Sequence, residues 1–493
     1  MLMNIDDLTA FAKEKGFFWP GAEIYGGLAG TYDYGHLGTL MKRRFEQCWL
    51  SYFVEGNNDY YMIEGALILP ERPLIASGHA ARFNDILVGC SKCHTYSRAD
   101  VMLADLGIKV SEGANPTEID AAIKANNVKC QKCQGALLPS KAFNMMVDVH
   151  LGPEKSEKGY LRPETAQSPY LNFFREFNIL RKSLPFGLAV IGRAYRNEIS
   201  PRQGLYRMRE LTQAELQIFF DPENFKTDFE SVKKTAFQVM PFKTKQLVRV
   251  TAEELVKSYD VPEFYAYHMA KIFIFYRDAI GIPEDKFRFL EKGGDEKAFY
   301  NRLHMDIEAN IESWGGFKEI GGLHYRGDYD LTCHSKGSGK DMSVKINGKD
   351  VMPNVLELSF GVDRNVWAMI DLLYSDDKTR QVLRLKPWIS PFPAAILPLQ
   401  KDEAVMAKAN EIRGSLSRKF KVFLDEAGSI GRRYARQDEI GTPFCITIDF
   451  DTVNRESKDF DTVTVRERDS KAQERIKISE LGAFLTDRTS YRG

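Results

Sequence analysis

The stretch GRAYRNEISPRQGLYRMRELTQAE, Gly192 to Glu215, constrains the fold of this chain more than any other. An apolar run, FGLAVIG (Phe186 to Gly192), leads into Tyr195, Arg196, Asn197 and Glu198. A loop with Pro201 and Gly204 follows, and then Arg207, Arg209, Glu210 and Glu215 lie on a returning strand that ends in ELQIFF. Side chains two apart on a strand share a face, so 207, 209, 211, 213 and 215 point one way, and 196 and 198 share a face of the partner. Such a hairpin crowds arginines and glutamates onto one side while the rest is apolar. A solvated, salt-bridged surface would satisfy that pattern. So would a polyphosphate site, because guanidinium groups fork and keep their charge, leaving the carboxylates for Mg²⁺ or an ammonium group.

The charge balance limits what else the chain can be. Lys+Arg and Asp+Glu both number 68, so no global positive field marks a nucleic-acid partner, which would have to use local basic patches. A hydrophobic fraction of 43% excludes a disordered or collagen-like chain, and 493 residues suggest roughly three domains. Met1 to Asp7 lacks the basic-then-apolar pattern of a signal peptide. The uncharged stretch Pro387 to Gln400 is too short and too broken by proline to span a bilayer. A soluble, cytoplasmic protein is expected.

Four of the seven cysteines form two pairs at the same spacing, CSKC (Cys90, Cys93) and CQKC (Cys130, Cys133). Two such knuckles complete a tetrahedral thiolate site for one structural Zn²⁺, which this spacing favours over a redox pair or chance surface thiols. TEIDAAIK, Thr117 to Lys124, reads as a short helix between them, capped by Thr117 with Asp120 three residues on. Cys48, Cys333 and Cys445 have no partner at metal spacing.

Apolar periodicity divides the rest. Leu8, Phe11 and Ala12 mark a helix over Ile5 to Lys15, and a second helix, Leu37 to Val54, follows the glycine-rich run at Gly26 to Gly30. The cysteine segment, 71–141, interrupts. Strand signals return from Ala142, the charged stretch 221–305 reads as a helical insertion, and the prolines near 387 to 393 mark a linker. Beyond it, Ala394 to Leu399, a helix face of Val405, Ala409, Ile412 and Leu416, and strands near Pro443 to Phe450 and Thr462 to Arg466 argue a small α/β domain. A basic helix over Ser429 to Gln437 carries Arg432, Arg433 and Arg436 beside Tyr434, a combination suited to RNA. The expected class is α+β, with an antiparallel-sheet body over 1–70 and 142–385, the cysteine insertion, and the C-terminal domain 386–493.

The hairpin closely resembles motif 2 of the class II aminoacyl-tRNA synthetases. ELSFGVDR, Glu357 to Arg364, resembles motif 3, and the helix after YDYGHLG, Tyr32 to Gly38, resembles the dimer-forming motif 1. Longer stretches narrow the likeness to glycyl-tRNA synthetases of the α₂ type: YGGLAGTYDYG (Tyr25 to Gly35), SGH (Ser77 to His79), RAD (Arg98 to Asp100), LRPETAQ (Leu161 to Gln167) and RNEISPRQG (Arg196 to Gly204). The likeness covers nearly the whole chain, including an anticodon-binding module at the C-terminus. It implies a homodimer that uses ATP and Mg²⁺ to attach glycine to its tRNA through glycyl-adenylate, with zinc in the insertion.

Family roles transfer residue by residue. Arg196 matches the arginine on the α-phosphate and substrate carboxylate. Asn197, Glu198, Tyr206, Met208, Arg209, Glu210 and Leu211 match adenosine and phosphate contacts, with Arg207 at the β/γ end. Glu319 with Ile320, and Gly361, Val362, Asp363 and Arg364, match further ATP contacts. Arg98, Glu164, Leu211, Thr212, Gln213, Ala214, Glu215, Glu357, Leu358, Ser359, Phe360 and Gly361 match the amino-acid site. The chemistry agrees, since a glycine ammonium wants carboxylates. The chain departs from the family pattern at His36, Leu211, Leu358 and Ser168. Leu211 stands where an aromatic ring would stack adenine against Arg364, and Tyr206 is the nearest ring that could replace it. Two other readings are a non-catalytic, nucleic-acid-binding relative and a ligase that loads an acceptor other than tRNA. Retention of Arg196, Glu198, Arg207 and Arg364 argues against the first, and the C-terminal module against the second.

Overall fold

The computed structural model describes residues 3–111, 114–154, 157–201, 203–294 and 301–491, so Arg202 of the motif 2-like loop lies outside the described residues. Nine strands form the central sheet, in the order Val248–Thr251, Ala236–Met240, Phe287–Glu291, Leu303–Ile311, Gly316–Gly327, Asn354–Gly361, Glu210–Phe220, Phe186–Tyr195 and Tyr60–Met62. All neighbours are antiparallel except Phe186–Tyr195 with Tyr60–Met62, and Ala236–Met240 with Phe287–Glu291.

Period-two alternation gives this sheet two unlike faces. Ala214, Leu216 and Ile218 share the buried face with Leu356, Leu358 and Phe360 and with Met305, Ile307 and Ala309. That face joins one core with the helices His36–Leu50, Glu263–Ile274 and Val362–Leu373. The opposite face carries Gln213, Glu215 and Gln217 beside Ser359 and Glu357, in the register Glu215↔Ser359 and Gln217↔Glu357, with His324 across from Glu357. Only at its far end does this face turn apolar, where Leu188, Phe219 and Val355 pack with Tyr170 and Phe173 of the helix Gln167–Leu180.

The first helix spans Ile5–Lys15 as expected, capped by Asn4 with Asp7 and stopped by Gly16 at φ +87°. In the cysteine segment the helix is Pro116–Ala125. Asn115 and Glu118 form its capping box, not Thr117 and Asp120; Asp120 instead accepts the Ser140 N–H at 2.9 Å. The segment 221–305 also corrects the sequence reading. It contains the helices Ala252–Tyr259 and Glu263–Ile274, but also the strands Ala236–Met240, Val248–Thr251 and Phe287–Glu291, which extend the central sheet. Those strands are short, and the pairing Val239↔Phe289 joins residues far apart in the chain, so no local period marks them.

The C-terminal domain is a five-stranded sheet ordered Phe423–Leu424, Ala394–Pro398, Phe444–Ile448, Thr462–Glu467, Gln473–Lys477, flanked by helices. Val405, Ala409, Ile412 and Leu416 are the buried face of its helix Glu403–Leu416. No helix among the described residues is long and apolar enough to cross a membrane.

Candidate active site

The loop between the two hairpin strands, the Asn354–Gly361 strand and the start of the helix Val362–Leu373 enclose a cleft of about 70 Å³. Its walls include Arg196, Glu198, Tyr206, Arg207, Met208, Leu211, Glu319 and Arg364, and its floor includes Gln213, Gly321, Ser359 and Gly361. Gly204 holds the loop closed over this end. Its φ is +60°, and a Cβ there would stand 2.2 Å from the Trp367 ring, so only glycine fits.

Arg196 donates through Nε to the Pro163 carbonyl at 3.3 Å and faces the Phe83 ring, with no carboxylate partner among the described residues. Arg364 is more committed. It meets Glu319 at 3.1 Å, donates to the Tyr206 carbonyl at 3.2 Å and lies 4.7 Å from the Tyr206 ring centroid. Burial works to raise the Glu319 carboxyl, but Arg364 overrides it and holds the group below its ordinary range. Tyr206 packs in turn on Trp314, which stacks on Trp367. Tyr206 therefore places an aromatic ring against Arg364, on the Arg364 side of the cleft. Glu198 Oε2 is buried with no hydrogen-bond partner among the described residues.

Beneath the floor the carboxylates cluster. Ser359 Oγ donates to Glu215 Oε1 at 2.7 Å, Gln213 Nε2 donates to the same oxygen at 3.0 Å, and Thr165 Oγ1 donates to Oε2 at 2.5 Å. Burial, reinforced by the neighbouring Glu357 and Glu164, pushes the Glu215 carboxyl up to about 8. Glu164 behaves oppositely. Burial would raise it, but His79 at 3.3 Å, Arg326, and Gln167 donating at 2.8 Å hold it well below the usual carboxylate range. Glu357 accepts from Arg326 Nη1 at 2.8 Å and from the Tyr170 hydroxyl at 3.1 Å, yet burial keeps its carboxyl raised. One carboxyl held low, Glu164, thus stands beside two that burial raises, Glu215 and Glu357, in a buried cluster.

Several sequence-assigned residues serve differently. Ala214, Ile320, Leu358, Phe360 and Val362 point their side chains into the core, so they can meet a ligand only through the main chain. Asp363, 2% exposed, accepts from Tyr34 OH at 2.6 Å, Lys42 Nζ at 3.0 Å and the Thr212 N–H at 2.5 Å. Lys42 also donates to Thr212 Oγ1 at 2.6 Å. The Asp363 carboxylate is therefore a knot between three elements, not a free ligand. Arg209 donates to the carbonyls of Ala29 and Glu198, and Glu210 pairs with Arg193 at 3.3 Å. Asn197 is exposed, and its N–H donates to the Met145 carbonyl. Arg98 is not brought into the cleft: Asp100 and Asp85 hold its guanidinium at 2.7 and 3.1 Å. It lines a separate cavity with Lys132 and Arg207, between the cysteine segment and the motif 2-like loop. Lys42, His79, Thr165 and Arg326 were not assigned roles from sequence; Lys42, His79 and Thr165 lie within stretches that marked the resemblance, and Arg326 does not.

The four cysteine sulfurs lie within 4.8 Å of one another. Both knuckles close alike, with the next residue, His94 or Gln134, left-handed at φ +54° and +57°. The N–H groups of Cys93 and Lys92 point at Cys90 Sγ and lower its thiol pKa.

An antiparallel sheet with one polar face, a charge-lined cleft between an arginine-rich hairpin and a glycine-turn helix, and an appended α/β domain define a class II aminoacyl-tRNA synthetase. Residues 149–372 match the family described as tRNA synthetase class II core domain (G, H, P, S and T), and 394–488 match the anticodon binding domain. A crystal structure of prolyl-tRNA synthetase from Cryptosporidium parvum shares the fold at TM-score 0.58 and 14% identity, covering 98% of this chain and 76% of that one. The chain belongs to the glycine–tRNA ligase family. It is 36% identical to the glycine–tRNA ligase of Thermococcus sibiricus over 99% of each chain. It is 38% identical to that of Pyrococcus furiosus over 97% of this chain and 98% of the relative.

Proposed function

We infer that the chain attaches glycine to tRNA(Gly) in two ATP-dependent steps. The observation that carries this reading is the buried Glu164–Glu215–Glu357 cluster under a cleft walled by arginines. In the first step a glycine carboxylate oxygen attacks the α-phosphorus of ATP in line and pyrophosphate leaves. In the second the 3′-terminal hydroxyl of the tRNA attacks the adenylate carbonyl and AMP leaves. No side-chain nucleophile is required, so positioning and electrostatics supply the catalysis.

Arg196 holds the α-phosphate and the glycine carboxylate, Arg207 meets the outer phosphates, and Arg364 with Tyr206 covers the adenine. Mg²⁺ accompanying ATP would find carboxylate oxygens at Glu198 and Glu319 and would neutralise charge on the phosphates. The glycine ammonium sits over Glu164 and Glu215, with Ser359 between, and Arg326 fixes Glu357 behind them. Glycine is the smallest amino acid, so exclusion by bulk at this buried floor would reject the others.

Zinc suits the four cysteines. Tetrahedral thiolates about 2.3 Å from the metal stand roughly 3.8 Å apart, and Cys90–Cys133 and Cys93–Cys130 are 3.5 and 3.6 Å apart. The exposed apolar residues Met62 and Ile68, which follow the motif 1-like helix, support a homodimer.

ATP–pyrophosphate exchange with each amino acid in turn, followed by aminoacylation of total tRNA, tests the reading. Exchange with glycine alone and charging of tRNA(Gly) are expected; exchange without charging would favour another acceptor. Glu164→Gln keeps the shape and removes the charge, at about 1.5–3 kcal/mol. Its KM for glycine should rise by roughly ten- to a hundredfold with little change in ATP binding. A wild-type KM for glycine would overturn the ammonium assignment.

A further inference from the structure

The Ile430–Glu439 helix, basic enough in sequence to suggest an open RNA-binding face, turns one side onto the catalytic body. Asp438, 2% exposed, accepts from two arginines of different domains. Arg380, on the hairpin that follows the Val362–Leu373 helix, donates through Nε at 2.9 Å and Nη2 at 2.6 Å. Arg466, in the C-terminal sheet, donates to both carboxylate oxygens at 3.0 Å. Contacts also run the other way. Arg468, 2% exposed, donates to the Leu385 carbonyl at 2.7 Å and to Gly441 at 2.8 Å, while Arg380 donates to the Arg468 carbonyl at 2.5 Å. At the rim, Arg384 meets Asp469 at 3.1 Å and Lys15 meets Glu439 at 2.7 Å.

An apolar interface tolerates sliding, because burial is not directional. Forked guanidinium–carboxylate pairs do not, because each fixes distance and plane together. A shifted domain would strand Arg380, whose carboxylate partner is Asp438, while Asp438 would keep Arg466. The separation of cleft and C-terminal domain is therefore set before any RNA arrives.

We propose that Arg380 is a positioning residue for the second half-reaction: through Asp438 it clasps the C-terminal domain at the spacing a tRNA must bridge to bring its 3′ end to the cleft. This rests on the reading of the chain as a tRNA ligase. Adenylation uses the cleft alone and is independent of the clasp.

Arg380→Met in the full chain removes the bonds from Arg380 to Asp438 and to the Arg468 carbonyl while leaving Asp438 paired with Arg466, so the C-terminal domain keeps its own network. Glycine-dependent pyrophosphate exchange should stay within about twofold of wild type. The kcat/KM for tRNA should fall by roughly ten- to a hundredfold, the worth of one buried charge-assisted pair. Arg380→Lys, which restores charge without the fork, should recover only part of the loss. Unchanged tRNA kinetics in Arg380→Met would overturn the clasp. So would equal losses in exchange and charging, because Arg380 would then be supporting the cleft. A wild-type chain that performs exchange but charges no tRNA would overturn the functional reading instead.

Discussion

In the cleft, Arg196 touches one backbone carbonyl and Arg207 forms no ion pair among the described residues. In the C-terminal domain Arg433 donates to the carbonyls of Pro398 and Gly428, Arg436 pairs with Asp425 at 2.7 Å, and Arg466 and Arg468 are fully engaged. The side chain is the same; the number of partners the fold supplies is not. Arginines left with spare donors beside an open cleft can take up a ligand's charge. Arginines buried against carbonyls and carboxylates hold the scaffold, Arg433 through its two Nη groups while its buried Nε has no partner among the described residues. Of the three residues the sequence assigns to the anticodon, Arg433 is 4% exposed and belongs to the scaffold, and Arg436 is largely spent on Asp425. Only Arg432 remains exposed with no ion pair among the described residues.

The sharpest way to break this contrast is the same substitution in both places. Arg196→Ala should lower kcat for pyrophosphate exchange on the order of a hundred- to a thousandfold, as loss of one transition-state donor does, with thermal stability nearly unchanged. Arg433→Ala should do the reverse, costing about 1–3 kcal/mol of stability because carbonyls lose their buried donor. Chemical denaturation followed through the C-terminal domain measures it. If Arg433→Ala were fully stable but failed to bind tRNA, the contrast would collapse.

A smaller effect probes the shared wall of the cleft. Tyr206→Leu removes the ring beside Arg364, and its quadrupole contributes about 0.5–1.5 kcal/mol beyond area burial. The KM for ATP should rise roughly two- to twelvefold, with that for glycine unchanged. Leu211→Phe, by contrast, should bring little gain, because Tyr206 already lies against Arg364.

The smallest effect is protonic. The Glu215 carboxyl, pushed up to about 8 by burial and by Glu357 and Glu164, keeps a proton near neutral pH that the unfolded chain has lost. A raised folded-state value means that this group's contribution is fully present below the ordinary glutamate range and is lost as pH rises through about 8. The glycine ammonium favours the ionised form, so binding near pH 7 should release a fraction of a proton and tighten as pH approaches 8. Calorimetry in buffers of different ionisation heat reads this directly. Binding with no proton release would remove Glu215 from the ammonium site.

Much of the site was legible before the fold. The alternation at 211, 213 and 215 put Gln213 and Glu215 on one face, and strand pairing then set Ser359 and Glu357 beside them. Lys42 escaped notice because its partner Asp363 is 321 residues away, and nothing local marks a lysine that will be buried. Arg326 escaped for a similar reason, since its value lies in reaching Glu357 on the neighbouring strand, 31 residues on. Alternation also carried its own limit: assigned neighbours such as Leu358 and Phe360 point into the core.

The sequence by itself determined the class of fold, the two cysteine knuckles, the polar stripe of the hairpin and the family, because these rest on local period, spacing and residue order. Only the tertiary structure decided which charges are spent and which are free. It sank Arg433 and Asp363, laid Tyr206 against Arg364, turned part of 221–305 into sheet, and closed Asp438 between two domains. The physical reason is that a charged side chain's function depends on its desolvation and its partners, and both are set by segments that meet only when the chain folds.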